Sequence, residues 1–159
     1  MHYAKIREMD VTNGPGVRTT LFVSGCTHAC EGCFNSEAKS FTYGKEFTKD
    51  VEDQFILYTK NKLINGVNIL GGEPLMQDDT LYNLLKRIKE ETNKSVWLWT
   101  GYRIDEIPDD KIKVLDYVDV LVDGRFEINN RNLNLKYRGS SNQNVYFKED
   151  GRFVLKEII

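Results

Sequence analysis

The sequence predicts an α/β fold in which a few parallel strands form an open sheet or a partial, open (β/α) barrel. Apolar, β-branched runs alternate with amphipathic helical patterns, which indicates parallel strands joined by right-handed crossovers. A strand–helix unit takes roughly 30 residues, so a chain of 159 residues holds about four or five units, too few to close an eightfold barrel. The tail, residues 145–148 and 153–156, is split by a turn and predicts a short C-terminal β-hairpin.

Local patterns place the first elements. The turn signal at residues 13–16, Asn-Gly-Pro-Gly, precedes an apolar and β-branched run over residues 18–24, which we interpret as a strand. Residues 48–60 predict a helix, because Thr48 is a suitable cap and the apolar side chains recur at helical spacing. Residues 67–70 follow as a short apolar run and predict a second, buried strand.

The second half of the chain repeats this alternation. Residues 79–91 predict an amphipathic helix, since their leucines and isoleucine fall on one face. Strands are predicted over 95–100 and 118–122, with a short helix over 110–117 between them. In parallel sheets the chemistry collects at the carboxyl ends of the strands. The motifs described below each follow a predicted strand, so we expect them to meet at one edge of the sheet.

The composition excludes several classes of protein. The chain has 40% hydrophobic and 29% charged residues and a formal net charge of −2, unlike the basic surface of a nucleic-acid-binding protein. No apolar run approaches the ~20 residues of a membrane span, and the charged N-terminus does not resemble a signal peptide. We therefore expect one domain over residues 1–159, located in the cytoplasm, without nucleic acid or membrane as partner.

Three cysteines in eight residues are the most informative feature. Cys26, Cys30 and Cys33 have the spacing C-x3-C-x2-C and are the only cysteines of the chain. Thiolates are soft ligands that suit iron–sulfur clusters or zinc. A closed zinc site needs four ligands, and the two histidines, His2 and His28, are the remaining candidates. A 4Fe–4S cluster held by three cysteines instead leaves one iron open to a substrate or cofactor.

Further motifs carry a family resemblance. The cysteine loop after the first strand resembles that of the radical S-adenosylmethionine superfamily. Within it, the chain is similar to the activating enzymes of anaerobic, class III ribonucleoside-triphosphate reductases. The resemblance covers almost the whole chain, through the segments NGPGVRTTLFVSGC, CEGCFN, GGEPL, WLWTGY, VDVLVDGRFE and RGSSNQ. One position departs from the superfamily pattern: many members have an aromatic residue before the third cysteine, where this chain has Gly32 and places Phe34 after it.

The resemblance implies a set of site residues. The metal ligands are Cys26, Cys30 and Cys33. Two glycines before Glu73 allow a ligand to approach the backbone, and the resemblance assigns this carboxylate to the methionine amino group of S-adenosylmethionine. The acidic and basic pair after the fourth strand is expected near the ribose and the methionine carboxylate. The residues expected at the cofactor are Gly32, Cys33, Phe34, Gly71, Gly72, Glu73, Thr100, Asp123 and Arg125.

The resemblance also implies a mechanism and partners. A 4Fe–4S cluster binds S-adenosylmethionine, and one electron from a donor such as flavodoxin cleaves it to methionine and a 5′-deoxyadenosyl radical. That radical takes a hydrogen atom from a glycine of the anaerobic ribonucleoside-triphosphate reductase and leaves a glycyl radical there. The cofactor carries the difficult chemistry, so no catalytic side chain is expected beyond the cluster and cofactor.

Two alternatives remain open at this point. The chain is a radical S-adenosylmethionine enzyme with a different substrate, or a non-enzymatic iron–sulfur or zinc redox-sensing module. Two smaller questions stay open as well. Residues 138–143, RGSSNQ, either line the substrate mouth or form a turn before the hairpin. His28 is interpreted as a residue that orients the cysteine loop rather than as a ligand.

Overall fold

A computed structural model describes residues 1–33 and 36–157. In this part of the chain the strands are β1 (His2–Asp10), β2 (Arg18–Val23), β3 (Lys45–Glu46), β4 (Gly66–Gly71), β5 (Ser95–Trp99), β6 (Val120–Asp123), β7 (Asn144–Glu149) and β8 (Arg152–Lys156). The α-helices are α1 (Lys49–Thr59) and α2 (Asp79–Glu91). Short 3₁₀ helices cover Ser36–Lys39, Pro74–Met76, Ile104–Glu106, Asp109–Tyr117 and Ile128–Asn130.

The strands form one open mixed sheet. Within the described residues it has eight strands in the order β3-β1-β2-β4-β5-β6-β7-β8. The four central strands, β2, β4, β5 and β6, are parallel, and the flanking strands are antiparallel. The C-terminal hairpin is confirmed by the β7–β8 pairing, in which Val145 faces Lys156. The fold is therefore α/β as predicted, and its sheet is open.

The predicted elements and the observed ones agree in the middle of the chain. All four predicted strands are confirmed as β2, β4, β5 and β6, and helix α2 has the predicted bounds. The predicted short helix over 110–117 is a 3₁₀ helix over Asp109–Tyr117. Strand β1 was not predicted, because the first ten residues mix charged and apolar side chains without a strict alternation, and β3 is only two residues long.

Capping residues and one apolar face account for the two α-helices. The Thr48 hydroxyl accepts a hydrogen bond from the Val51 amide at 3.3 Å, and the Asp78 carboxylate accepts one from the Thr80 amide at 3.0 Å. Helix α2 buries four aliphatic side chains against the sheet: Leu81, Leu84, Leu85 and Ile88. This apolar stripe supplies the main stabilisation of the helix.

The two faces of the sheet differ in character. One face is aliphatic and packs against the helices, with Leu21, Ile69, Leu98 and Leu121 in the main core. The other face carries a smaller cluster of Trp97, Val120, Val122 and Val145, packed by Trp99, Tyr137 and Phe147. Alternation along the strands puts the buried polar Arg18 and Asn68 on this second face, where the cavity described below lies. No helix in residues 1–33 and 36–157 has the length and apolar character to cross a membrane.

Candidate functional site

A cavity of about 360 Å³ lies where the parallel strands end. The cysteine loop follows β2, Gly71 ends β4 and is followed by Gly72 and Glu73, Thr100 and Gly101 follow β5, and Gly124 follows β6. Residues from each of these segments line the cavity, so the predicted meeting of the motifs at one edge is confirmed. Further lining comes from Thr12, Asn13, Lys39, Leu70, Trp99, Phe126, Leu135, Tyr137, Arg138, Gly139 and Gln143.

All three cysteines line this cavity as half-buried free thiols. The pKa of Cys26 is raised by burial, while a hydrogen bond from the His28 amide opposes that rise. Burial likewise raises the pKa of Cys30, and the Phe126 amide is one of the groups that lower it. Backbone amides directed at cysteine sulfurs stabilise thiolates and are typical surroundings of metal-bound cysteines.

The cysteine loop and the glycine motif are held together through their backbones. The Gly72 amide donates to the Val23 carbonyl at 2.8 Å, and the Glu73 amide donates to the Gly25 carbonyl at 2.7 Å. A Cβ atom added at Gly72 would lie 2.6 Å from the Gly25 oxygen. Gly71 has a φ of +116°, which side-chain-bearing residues rarely adopt. The two glycines therefore serve the close packing of these loops.

Glu73 connects three loops of the site. Its carboxylate is only 1% exposed. One oxygen accepts hydrogen bonds from the Leu75 amide at 2.9 Å and the Thr100 hydroxyl at 2.8 Å. The other accepts from the Gly101 amide at 2.6 Å and lies 2.8 Å from Nε2 of His28. The carboxylate is thus buried among hydrogen-bond donors from three loops, which satisfies its oxygens and fixes the loops relative to one another.

The loops that follow the carboxyl ends of β2, β4, β5 and β6 form the rim of the cavity. His28 lies between the cysteine loop and the other loops of this rim. The Nε atom of Arg125 donates to Nδ1 of His28 at 3.3 Å. Because an arginine N–H can only donate, a neutral ring here carries its proton on Nε2 and donates it to Glu73. Tyr102 packs edge-on against the ring, with centroids 4.7 Å apart. Both ring nitrogens therefore have partners, which agrees with an orienting role and leaves neither free as a zinc ligand.

The predicted cofactor residues fall into two groups. Cys33, Gly71, Gly72, Glu73 and Thr100 line the cavity. Gly32, Asp123 and Arg125 are not among the described lining residues. Phe34 lies outside the described residues. Any contact between these residues and a cofactor stays a prediction.

Asp123 lies on the helix-covered side of the sheet, because strand alternation gives it the face of Leu121. Its oxygens accept from the Ile104 amide at 2.8 Å and the Asn144 amide at 3.2 Å, and burial raises its pKa. Arg125 is exposed and reaches the site through His28. Both residues thus support loops of the rim in this structure.

The segment 138–143 both forms a turn and contributes to the cavity. Gln143 accepts from the Gly139 amide at 2.8 Å and the Ser140 amide at 3.1 Å, and donates to the Gly124 carbonyl at 2.9 Å. Arg138 lines the cavity from this turn. The polar run RGSSNQ was visible in the sequence, but its contact with Gly124 depends on the fold.

The donor set fits a cluster better than a single ion. Within the part of the chain that the structure describes, no three histidine, cysteine or acidic side chains converge on one point that could hold a metal ion. A closed zinc site needs four ligands, and the described lining of the cavity offers three thiols and His28, whose two ring nitrogens are already hydrogen-bonded. In a 4Fe–4S cluster each cysteine binds its own iron, so three thiols spread along one loop are suitable ligands.

Comparisons with known proteins place the chain in a family. A family model described as a 4Fe-4S single cluster domain matches residues 12–146. An anaerobic ribonucleoside-triphosphate reductase-activating protein of Vibrio cholerae is 40% identical over 92% of this chain and 97% of its own length. The protein of the same name from Haemophilus influenzae is 42% identical over 92% of this chain and 97% of its own length. The one from Enterobacteria phage T4 is 37% identical over 95% of this chain and 97% of its own.

Proposed function

The chain belongs to the family of anaerobic ribonucleoside-triphosphate reductase-activating proteins, and from that premise we propose that it generates a glycyl radical on such a reductase. The single observation that carries this proposal is the cavity itself. Three cysteines of one loop, the GGE motif and Thr100 line one space at the ends of the parallel strands. This arrangement favours an enzyme over a redox sensor, because it adds a ligand-sized space to the thiols.

Cys26, Cys30 and Cys33 would hold a 4Fe–4S cluster, and the rest of the cavity would bind S-adenosylmethionine. When bound, these two groups supply the one-electron chemistry that ends in a glycyl radical on the reductase. The chain's own residues bind and orient. Gly71 and Gly72 keep the cysteine loop close to β4, and Glu73 holds three loops at fixed positions. These contacts preorganise the site before any cofactor enters.

The cofactor contacts of the remaining residues belong to the same proposal. Gly32 and Phe34 are assigned to the adenine and Glu73 to the methionine amino group, while Cys33 and Thr100 are assigned to the cofactor without a particular part of it. Since Glu73 already accepts four hydrogen bonds, an ammonium group has to share this carboxylate or displace the His28 donor. Asp123 and Arg125 act through the amides and the imidazole that they contact.

Several finer features complete the proposal. Residues 1–159 form one domain, and the four parallel strands with their crossovers are the open partial barrel of the radical S-adenosylmethionine type. The protein acts in the cytoplasm, where free thiols and an exposed iron are kept reduced. A one-electron donor such as flavodoxin reduces the cluster. The four consecutive parallel strands and the cysteine thiols support these assignments.

The testing experiment is anaerobic reconstitution of the full chain with iron and sulfide. We expect a reduced-cluster signal in electron paramagnetic resonance that changes when S-adenosylmethionine is added, with formation of 5′-deoxyadenosine. Addition of the anaerobic reductase is then expected to produce a glycyl radical signal on that protein. A colourless protein with stoichiometric zinc, or a cluster signal indifferent to S-adenosylmethionine, would contradict the proposal.

A further inference from the structure

The β6–β7 connection, residues 124–143, supplies a large part of the cavity wall. Phe126, Leu135 and Tyr137 are among its lining residues. Residues 127–134 of the same connection are exposed. One side of the connection therefore borders the cavity and the other borders solvent, so a protein that reaches into the cavity from outside contacts this connection.

The β6–β7 connection is anchored on the cysteine loop. The Phe126 amide is hydrogen-bonded to Cys30. Ile128 packs on Gly32, where an added Cβ atom would lie 2.7 Å from the Cδ1 atom of Ile128. Gly32 also has a φ of +69°, so this contact requires a glycine where many members of the superfamily have an aromatic residue. The connection and the cysteine loop therefore keep a fixed relative position.

The outermost part of the connection is a closed turn, residues 131–140. Its two ends are joined by an isolated bridge between Arg131 and Ser140. The Asn132 amide also donates to the Gly139 carbonyl at 3.2 Å. These contacts between its ends hold the closed turn in a defined position beside the cavity.

The closed turn carries two leucines with different surroundings. Leu135 lines the cavity, whereas Leu133 is 77% exposed, more than any other large apolar side chain among the described residues. Tyr137 follows with a φ of +67° and is held by a hydrogen bond from Trp99 Nε1 to its carbonyl at 2.7 Å. An exposed apolar side chain on a fixed loop beside a ligand-sized cavity is typical of an interaction site.

The connection is basic, although the chain has a formal net charge of −2. It contains one acidic residue, Glu127, and four basic ones: Arg125, Arg131, Lys136 and Arg138. All of the basic residues except Arg138 are exposed. An apolar contact among cations matches a protein surface with an apolar pocket and an acidic border.

The chemistry of the proposed function decides which protein this is. Transfer of a hydrogen atom requires the reacting atoms to be about 3–3.5 Å apart, so the glycine of the reductase has to enter the cavity. The residues that flank this glycine then lie across the cavity opening, against the β6–β7 connection.

We propose that the reductase docks on the closed turn and buries Leu133 in an apolar pocket of its own surface. This inference rests on the proposed function and adds the surface that holds the protein substrate. Because Ile128 and Phe126 anchor the same connection on the cysteine loop, docking there also sets the distance between the glycine and the cluster.

The test measures docking and cofactor chemistry separately, with the cluster-loaded full chain, dithionite as reductant and the anaerobic ribonucleoside-triphosphate reductase of the same organism. Electron paramagnetic resonance counts glycyl radicals at increasing reductase concentration, and 5′-deoxyadenosine is measured without reductase. We expect Leu133→Ser to raise the reductase concentration for half-maximal radical formation by about 10-fold or more, the loss typical of a buried leucine. Formation of 5′-deoxyadenosine without reductase should stay unchanged.

Leu63→Ser is the matched control. Leu63 is 67% exposed and precedes β4, at the amino ends of the parallel strands and away from the cavity, so neither measurement should change. Leu133→Met keeps an apolar side chain of similar volume and should stay within about twofold of wild type. Circular dichroism should show the same fold for all three variants, because both leucines are exposed.

Three results would overturn the inference. An unchanged half-maximal concentration in Leu133→Ser would exclude the docking contact. An equal loss of 5′-deoxyadenosine without reductase would assign Leu133 to the cofactor site instead. The same loss in Leu63→Ser would show that any exposed leucine has this effect. A wild-type protein that forms no glycyl radical on the reductase at any concentration would instead mark a failure of the proposed function.

Discussion

Each of the two ends of the parallel strands buries an acidic or basic side chain that is hydrogen-bonded to several segments, and the two side chains have different roles. At the carboxyl ends Glu73 accepts from donors on the cysteine loop, its own loop and the loop after β5. At the amino ends Arg18, 2% exposed, donates to Asn68 at 2.7 Å and to the Val67 and Ser95 carbonyls at 3.2 and 3.1 Å.

Arg18 and Glu73 differ in the segments to which their hydrogen-bond partners belong. Arg18 contacts residues at or near the starts of neighbouring strands, so it closes the sheet at that end. Its burial lowers its pKa to about 10, which still leaves it charged at neutral pH. Glu73 contacts loops that would otherwise be independent, and the cavity forms beside them. A buried side chain with hydrogen bonds to several segments therefore supports the sheet at one end and joins the loops of the site at the other.

The largest effect is expected from the cysteines, which belong only to the carboxyl end. Cys30→Ala should abolish cluster assembly and cleavage of S-adenosylmethionine completely, because two thiols cannot hold the cluster. The fold should persist, since the half-buried thiol contributes little packing. Iron content, 5′-deoxyadenosine yield and circular dichroism measure these outcomes. Thr27→Ala, exposed in the same loop, is the control and should behave as wild type. Retained cleavage in Cys30→Ala would refute the site.

Arg18→Met tests the amino end. It leaves Asn68 Oδ1 and two carbonyls without their donor, so the free energy of unfolding should fall by about 3 kcal/mol. Iron bound per folded molecule should stay unchanged, because no Arg18 contact reaches the rim. Urea unfolding and iron analysis separate the two effects, with the exposed Arg152→Met as control. A variant that is as stable as wild type but binds no iron would contradict this prediction and assign Arg18 to the site rather than to the sheet.

Glu73→Gln should damage both stability and function. The new amide group would turn a donor toward two of the four groups that now donate to the carboxylate, at an expected cost of roughly 2–3 kcal/mol. The yield of 5′-deoxyadenosine should fall with it, because the amide keeps only one acceptor oxygen for donors from three loops. Glu31→Gln, exposed in the cysteine loop, serves as the comparison. Full activity with reduced stability would assign Glu73 to the fold alone.

The smallest effect concerns acid stability at the amino end. Burial raises the pKa of Asp10, but hydrogen bonds from Thr12, Asn13 and Thr20 outweigh it and lower the pKa from 3.8 to about 2. A lowered pKa stabilises the fold above pH 3.8, and this contribution is lost as the pH falls through about 2. Asp10→Asn should therefore be less stable than wild type by roughly 2 kcal/mol at pH 6, with a smaller gap at pH 2.5. Urea unfolding at both pH values measures it, and a gap independent of pH would contradict it.

The sequence predicted what local patterns encode. Helix α2 and the central strands have strong periodicity, and the cysteine, glycine and threonine motifs follow strand ends. Strand β1 was missed because most of its residues are only partly buried on both faces, so no alternation marks it. The burial of Arg18 has no sequence signal, since a charged residue at a strand start is usually exposed.

The sequence predicted several residues of the site, but it did not predict which of them are hydrogen-bonded to one another. Glu73 and Thr100 were identified, but their mutual hydrogen bond joins positions 27 residues apart. Asp123 was assigned to the cofactor through the family resemblance, and that contact stays a prediction; the sequence did not indicate that its oxygens accept hydrogen bonds from the Ile104 and Asn144 amides. Arg138 was recognised only as part of a polar loop, because its place depends on the left-handed Tyr137 and on Trp99.

Residues that contact one another at the rim are far apart in the sequence. This separation has a consequence for protein synthesis. His28 meets Glu73 across 45 positions and Arg125 across 97. On the ribosome the cysteines therefore emerge well before the residues that enclose them, and the cavity is complete only after Gln143 has been added. The nascent chain carries three unprotected thiols during this interval. The enclosed cavity therefore becomes available to iron and sulfide only after translation has passed Gln143.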